Sequence, residues 1–296
     1  MKGLRVVLLD LLVERAEFGY GGNIEILSPI ANNFPSLDVW LLNPQFQSDE
    51  LGESASSIQT PIIVNREDLP TWNEDFPFVS QYEPTELSGD SKLTRVALPF
   101  GDDEAIKSWL IYNDVDVVIC SGSRRNVSMW EKWMDYAASL LRGAVNLGLP
   151  TLGICFGHQL LCKALGGEVL RAAERTDMVH NLELSEHGLI DPLFTGLISP
   201  VCLFTHQDHV VKLPDCVKLL GTAPHNSMAS VRVCDGSGKE LPIWGVQFHP
   251  EAAKNRIERS VRLGHITASE AKAFEREHDG AHILTNFANE VVRNIR

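Results

Sequence analysis

Regularly spaced cysteines are missing from this sequence. The chain contains six cysteines, and no two of them form a C-x-x-C pair. Structural zinc sites and disulfide frameworks both depend on such spacing, so the sequence favours neither. We therefore expect free thiols in a reducing compartment.

Basic stretches and long apolar runs are also missing. The 296 residues carry a formal net charge of −13, and a chain with that charge repels a phosphate backbone. The first apolar run, Leu4 to Val13, contains Asp10, is much shorter than a membrane span and lacks a small-residue cleavage site. These absences predict a cytoplasmic protein that binds neither nucleic acid nor membranes.

Buried strands are predicted in the first half of the chain, where short apolar runs are rich in Val, Ile and Leu. These runs are Leu4 to Leu12, Leu37 to Leu42, Val115 to Cys120 and Thr151 to Ile154. Between the last two, residues 129 to 147 repeat apolar side chains at helical spacing and end in Gly-Leu-Pro. Strand, helix and strand in this order predict an α/β fold with a parallel sheet and right-handed crossovers.

The second half of the chain has a different pattern. Short alternating runs after residue 167 predict a strand-rich half: 179 to 184, 201 to 205, 217 to 220, 230 to 234 and 243 to 248. Residues 252 to 263 and 268 to 295 have helical patterns instead. Residues 44 to 95 show little periodicity and are too many for an ordinary loop. We expect one domain over residues 1–251 with an insertion at about 44–95, and a helical extension over 252–296.

A candidate nucleophile lies in T151-LGICFGHQLL-C162, where a predicted strand runs into a predicted helix at Cys155. Glycines lie two residues before and two after it, as a sharp strand-to-helix turn requires. A thiol at a helix N-terminus is stabilised as the thiolate by the helix dipole. A cysteine in apolar surroundings is more often buried and inert, and we expect that role for Cys162. The glycines favour Cys155 as a nucleophile.

A thiolate nucleophile needs a base, and the base needs a group that orients it. In W244-GVQFHPE-A252, His249 and Glu251 are two residues apart and share a face if the strand extends that far. Pro250 ends the strand, which leaves both side chains at the carboxyl edge of the sheet. Doubly wound sheets place their sites at this edge.

These two segments together resemble the class I glutamine amidotransferase family, whose signatures are G-x-C-x-G-x-Q and a later F-H-P-E. The resemblance covers roughly residues 1 to 251 apart from the insertion. It implies a flavodoxin-like, mostly parallel sheet flanked by helices, and a Cys155-His249-Glu251 triad. It also implies attack on the side-chain amide of glutamine, a glutamyl thioester and release of ammonia, with no cofactor and no metal.

Further site residues follow from the same resemblance. Acyl transfer creates an oxyanion that backbone N–H groups stabilise, and the donors fall on Phe156 and Ser123. Ser123 follows Gly122, also placed at the substrate, in the turn S121-GSRRNV-S128. The family commonly has S-G-G-P or S-N-G-P there, whereas this chain has Ser-Gly-Ser-Arg.

Three more positions match those that hold the substrate's amino-acid end in the family. They are Gln159 on the predicted elbow helix, and His206 and Asp208 in F204-THQDHV-V211. A zinc site formed by His206, Asp208 and His209 is the alternative interpretation. No third histidine stands at a suitable spacing, which disfavours it.

Three functions remain open. The favoured one is a glutaminase that supplies ammonia to a separate synthetase, because only about 45 residues follow Glu251 and no phosphate-binding loop is present. The alternative is a free-standing γ-glutamyl peptidase that cleaves γ-glutamyl amides, since Ser-Gly-Ser and His-Gln-Asp are similar to plant γ-glutamyl peptidases of the same fold. A regulatory module without catalysis is weakest, because all three triad residues are present.

Overall fold

The computed structural model describes residues 3–13, 16–47, 59–65, 69 and 87–295. In this part of the chain, nine strands form one sheet in the order β3-β2-β1-β4-β5-β11-β10-β9-β7. The strands are β1 Leu4–Leu9, β2 Leu37–Gln47, β3 Lys92–Leu98, β4 Val117–Cys120, β5 Thr151–Ile154, β7 Glu183–Leu184, β9 Val217–Ala223, β10 Asn226–Cys234 and β11 Glu240–Val246. From β3 to β11 the neighbouring strands are parallel, and β11, β10, β9 and β7 pair antiparallel. The predicted mostly parallel α/β sheet is confirmed.

Helices cover both faces of this sheet. They are α1 Gly22–Ala31, α2 Asp103–Tyr112, α3 Lys132–Leu147, α4 Phe156–Ala164, α5 Glu186–Ile190, α6 Lys254–Arg262, α7 Ala268–Ala271 and α8 Gly280–Asn294. Side chains alternate along β1: Val6 and Leu8 pack with α1 and α8, while Val7 and Leu9 pack with α2, α3 and α4. A strand buried on both faces reads as a continuous apolar run, and the sequence of β1 is such a run.

A second, two-stranded sheet lies beside the first. It pairs β6 Glu168–Asn181 with β8 Val201–Lys212 in antiparallel register. Arg171 pairs with Asp208 and Thr176 with His206, so four residues of β6 stand opposite one residue of β8. Such a bulge bends the strand and redirects its side chains.

Two elements near the predicted insertion were missed. Strand β3 overlaps the end of the 44–95 segment and pairs with β2 from Asp38↔Lys92 onward. Helix α2 follows it, and Asp102 caps this helix by accepting a hydrogen bond from the Ala105 N–H at 2.9 Å. Residues 48–58, 66–68 and 70–86 of the predicted insertion lie outside the described residues.

The C-terminal helices belong to the same packed body as the sheet. Helix α8 places Ile283, Phe287 and Val291 in the core cluster that also contains Val6. The predicted division of the chain at residue 251 stays a prediction. Among the helices of the described residues, none is long and apolar enough to cross a membrane.

Candidate active site

Cys155 occupies a strained turn between β5 and α4. Its backbone has φ 50° and ψ −99°, and Asp114 is the other non-glycine residue with positive φ among the described residues. Such a conformation costs about 1–3 kcal/mol and persists only where the surroundings enforce it. The flanking glycines allow the close packing around it: a Cβ on Gly157 would lie 2.1 Å from the Cys120 carbonyl oxygen, and one on Gly153 would lie 2.6 Å from the Gly157 carbonyl oxygen.

His249 and Glu251 form a buried pair in the turn after β11. The Nδ1 atom of His249 lies 2.7 Å from Oε1 of Glu251, and the two residues are 8% and 6% exposed. The His249 N–H donates to the Leu203 carbonyl oxygen at 2.8 Å, which ties the turn to β8. A Cβ on Gly122 would lie 2.7 Å from Cε1 of His249, so only glycine leaves space for the imidazole ring.

The surroundings of His249 favour its protonated form. Burial alone lowers the pKa of this imidazole, but the charges of Glu251 and Cys155, with the hydrogen bond to Glu251, outweigh burial and raise the pKa well above 6.5. The neighbouring His158 has no such partners. Burial lowers the pKa of His158 to about 4, and its Nε2 contacts the Met228 carbonyl oxygen at 2.9 Å.

The two thiols on and beside α4 have different surroundings. Cys162 is fully buried, and burial raises its pKa to about 12, which confirms it as a packed thiol. Cys155 instead lines a cavity, where its Sγ lies 3.8 Å from the Thr205 carbonyl oxygen and 3.6 Å from Nε2 of Gln247.

This cavity has a volume of about 690 Å³. The sequence-predicted residues that line it are Cys155, Phe156, Ser123, Gln159, His206, Asp208, His249 and Glu251. Gly122 does not itself line the cavity, but it lies beside the ring of His249, which does. The structure therefore brings together residues that are more than 120 positions apart in the chain.

Asp208 is held by the loop that follows β4. Its carboxylate accepts hydrogen bonds from the N–H and the hydroxyl of Ser128 at 2.8 and 2.9 Å, and Nη1 of Arg171 lies 3.9 Å away. Ser123 in the same loop turns its hydroxyl back to accept from the Arg125 N–H at 3.0 Å. Asp208 thus fixes the loop that carries the predicted oxyanion donor.

Two glutamine side chains connect the backbone of Asp208 to the Cys155 thiol through hydrogen bonds. Nε2 of Gln159 donates to the Asp208 carbonyl oxygen at 2.8 Å and to Oε1 of Gln247 at 3.1 Å, and Gln247 in turn reaches Cys155. Gln247 is fully buried. The sequence analysis did not predict these contacts, although Gln247 stands inside the quoted segment G-V-Q-F-H-P-E.

His206 is a buried, neutral imidazole at the cavity wall. Burial first, and then the neighbouring imidazoles led by His209, lower its pKa to about 2. Its ring centre lies 4.8 Å from that of His209 and 5.8 Å from that of His225. In the part of the chain that the structure describes, no group of three or more His, Cys, Asp or Glu side chains is arranged to hold a metal ion.

Comparisons with known proteins identify the family of this chain. The family model described as glutamine amidotransferase class-I matches residues 90–261. One subunit of the glutamine-hydrolyzing GMP synthase of Methanococcus maripaludis is 39% identical over 111 residues, which are 37% of this chain and 54% of the relative. Anthranilate synthase component 2 of Pseudomonas putida is 37% identical over 111 residues, which are 35% of this chain and 52% of the relative. The chain thus matches about half the length of these relatives.

Solved structures share the fold at low sequence identity. A glutamine amidotransferase from Thermotoga maritima covers 100% of this chain and 99% of its own, with a TM-score of 0.58 and 15% identity. A glutamine amidotransferase from Methylobacillus flagellatus covers 100% and 96%, with a TM-score of 0.57 and 16% identity. The family match spans more than half of the residues, and the fold agrees with it. The chain therefore belongs to the class-I glutamine amidotransferase family.

Proposed function

We propose that this chain hydrolyses the side-chain amide of glutamine to glutamate and ammonia, with Cys155 as the nucleophile. One observation carries the proposal: a cysteine in a strained turn and a buried His249–Glu251 pair meet at the wall of one cavity. Membership of the family supports it. The relatives are matched over about half their length, so their complete activities are not transferred to this chain.

The chemistry uses the groups in the following roles. The Cys155 thiolate adds to the amide carbonyl carbon, and the backbone N–H groups of Phe156 and Ser123 stabilise the resulting oxyanion. His249 gives its proton to the departing nitrogen, so ammonia leaves and a glutamyl thioester remains. Glu251 holds the imidazole through Nδ1. Water, deprotonated by His249, then hydrolyses the thioester to glutamate and the free thiol.

The amino-acid end of glutamine lies on the polar side of the cavity in this proposal. Gln159 and Asp208 border that side together with Arg171, and a guanidinium is well suited to an α-carboxylate. His206 contributes a neutral imidazole, and Gly122 keeps the imidazole of His249 in place. We assign the reaction to residues 1–251.

The ammonia serves a separate synthetase in this proposal. The two curated relatives are named as a subunit of one enzyme and a component of another, so both names describe parts of larger enzymes. Free thiols, as the structure has them, suit the predicted cytoplasmic location. Copurification followed by measurement of glutaminase rate with and without the copurified protein tests this arrangement, which predicts a faster rate in its presence.

Glutamate release from glutamine by the purified chain tests the reaction itself. Cys155→Ala is expected to abolish turnover, because the thioester cannot form. Cys216→Ser is the matched control, since this partly exposed thiol does not line the cavity. Turnover of the Cys155 variant near the wild-type rate contradicts the proposal.

A γ-glutamyl hydrolase is the second candidate, and the cavity volume favours it. At about 690 Å³ the cavity is in the range of sites for drug-sized ligands, about 300–1,000 Å³. Glutamine alone occupies a small part of such a space. Release of glutamate from a γ-glutamyl dipeptide, with none from glutamine, selects this candidate over the first.

A further inference from the structure

Strand β8 orders the cavity into two chemically different ends. Thr205 marks the middle, because its carbonyl oxygen lies 3.8 Å from the Cys155 sulfur. Asp208 lies three residues further along the strand, about 10 Å at about 3.3 Å per residue, and borders the polar end. Leu203 lies two residues back, on the other side of the sulfur. The reacting carbonyl group is therefore placed between a polar and an apolar wall.

His249 belongs to the Leu203 end. Its N–H donates to the Leu203 carbonyl oxygen at 2.8 Å, and its own carbonyl oxygen accepts from the Ala252 N–H at 3.3 Å. These backbone contacts hold the turn that carries the imidazole at this end of the cavity. The imidazole gives its proton to the departing nitrogen, so the amine leaves on the side of His249. The polar end then holds the glutamyl part of the substrate.

The wall on the leaving side is apolar. Leu203, Ala252 and Ile257 form a separate hydrophobic cluster, against which the partly buried Ile266 and Phe274 pack. All five of these residues line the cavity. Ile266 and Phe274 come from the segment between α6 and α8, which thus contributes to the same wall as Leu203 of β8.

The charged groups near this wall already have partners. Glu270 accepts hydrogen bonds from the N–H and the hydroxyl of Thr267 at 2.7 and 2.8 Å. Asp177 accepts from Nε of Arg175 at 3.0 Å. An apolar group is stabilised by the carbon surface of this wall and needs no counter-charge, whereas a cationic amine loses hydration there and gains nothing from the five apolar side chains.

We infer that the site takes γ-glutamyl amides whose nitrogen carries an apolar alkyl or aromatic group, and that Ile266 and Phe274 select it. This inference rests on the proposed thioester chemistry. The Cys155 thiolate adds to the γ-glutamyl carbonyl carbon, the C–N bond breaks, and the nitrogen takes the proton of His249 to leave as a primary amine. Water then hydrolyses the thioester to glutamate and the thiol. Ammonia, the leaving group of glutamine, gains nothing from an apolar wall.

Three substrates test the inference: glutamine, γ-glutamylbenzylamide and γ-glutamylputrescine, with glutamate release as the readout. The wild type is expected to have a kcat/KM for the benzylamide at least about tenfold above that for the putrescine amide. Phe274→Ala should lower kcat/KM for the benzylamide about tenfold and leave glutamine within about twofold, because one apolar contact of this size is worth about that factor. Ile198→Ala, at a residue 84% exposed and outside the cavity, is the matched control.

A second variant covers the case in which Phe274→Ala fails to fold. Ile266→Asp places a charge on the same wall, and it should raise kcat/KM for the putrescine amide while lowering that for the benzylamide. Equal losses on all three substrates, or a wild type that does not prefer the benzylamide, overturn the inference while glutamine hydrolysis stands. A wild type that cleaves none of the three overturns the proposed function, and the inference with it.

Discussion

Replacement of Glu251 by Gln tests the negative charge of this side chain, because glutamine has nearly the same shape but is neutral. At 2.7 Å from Nδ1 of His249, a carboxylate attracts an imidazolium by about 6 kcal/mol at an effective dielectric constant of about 20. Burial of the charged ring offsets much of this attraction, since burial acts on the same pKa in the opposite direction. The amide keeps a hydrogen-bonding group in place but removes the charge.

The expected result is a fall in the His249 pKa and a loss of rate. Without the carboxylate, the charge of Cys155 is left to oppose burial, so the pKa of the imidazole falls, and each unit of pKa lost corresponds to about 1.4 kcal/mol. Loss of the orienting carboxylate in a comparable triad lowers kcat by about 10⁴-fold, so we expect at least about 10³-fold here. The high-pH limb of the kcat profile should move to lower pH, because the proton for the leaving amine is lost earlier.

The same variant has a stability signature. The His249 pKa is raised in the folded chain, so its contribution to the free energy of unfolding is complete below about pH 6.5 and is lost as pH rises through the folded pKa. Urea unfolding at several pH values should show this loss in the wild type and not in Glu251→Gln. A variant within tenfold of the wild-type rate, with an unchanged pH profile, refutes the proposed role of Glu251.

Two further variants test the supports of the site. Gly157→Ala should lower the free energy of unfolding in urea by about 3 kcal/mol, because the added Cβ meets the Cys120 carbonyl oxygen at 2.1 Å. Gly236→Ala is the control, since its Cβ enters open space and should change stability little. Equal stability of the two variants contradicts this prediction. Asp208→Asn should lower the free energy of unfolding by about 1–2 kcal/mol and raise KM for glutamine more than it lowers kcat, because it weakens the hydrogen bonds to Ser128. An unchanged KM would count against the role of Asp208 in holding the loop.

The central strands were predictable because a strand that is buried on both faces has a recognisable run of apolar residues in its own sequence. Residues 151–154 form β5 with the predicted bounds, and residues 115–120 contain β4. Both strands are buried on two faces, so every residue is apolar or small and the run stands out. The elbow at Cys155 was predictable for a similar local reason, since its two glycines are required within four residues of chain.

Strand β3 was not predictable because its polar residues depend on distant partners. Arg95 interrupts the apolar pattern, yet its guanidinium lies 2.6 Å from the carboxylate of Asp10, which is 1% exposed. Asn23 also donates to this carboxylate at 3.0 Å. A buried charge is tolerated when it is paired, and no local pattern reveals a pair formed across 85 positions.

Asp208 is an example of a residue whose position matches a family motif although the motif does not predict what its side chain contacts. The resemblance placed this residue near bound glutamine, and it does line the cavity. Its carboxylate, however, is bound to Ser128, 80 positions earlier in the chain. In the proposed reaction its effect on the substrate passes through the loop from β4 that carries Ser123, and through Gln159, whose amide donates to its carbonyl oxygen. We therefore expect Asp208 to act by holding other groups in the proposed reaction, which is why the asparagine variant should raise KM more than it lowers kcat.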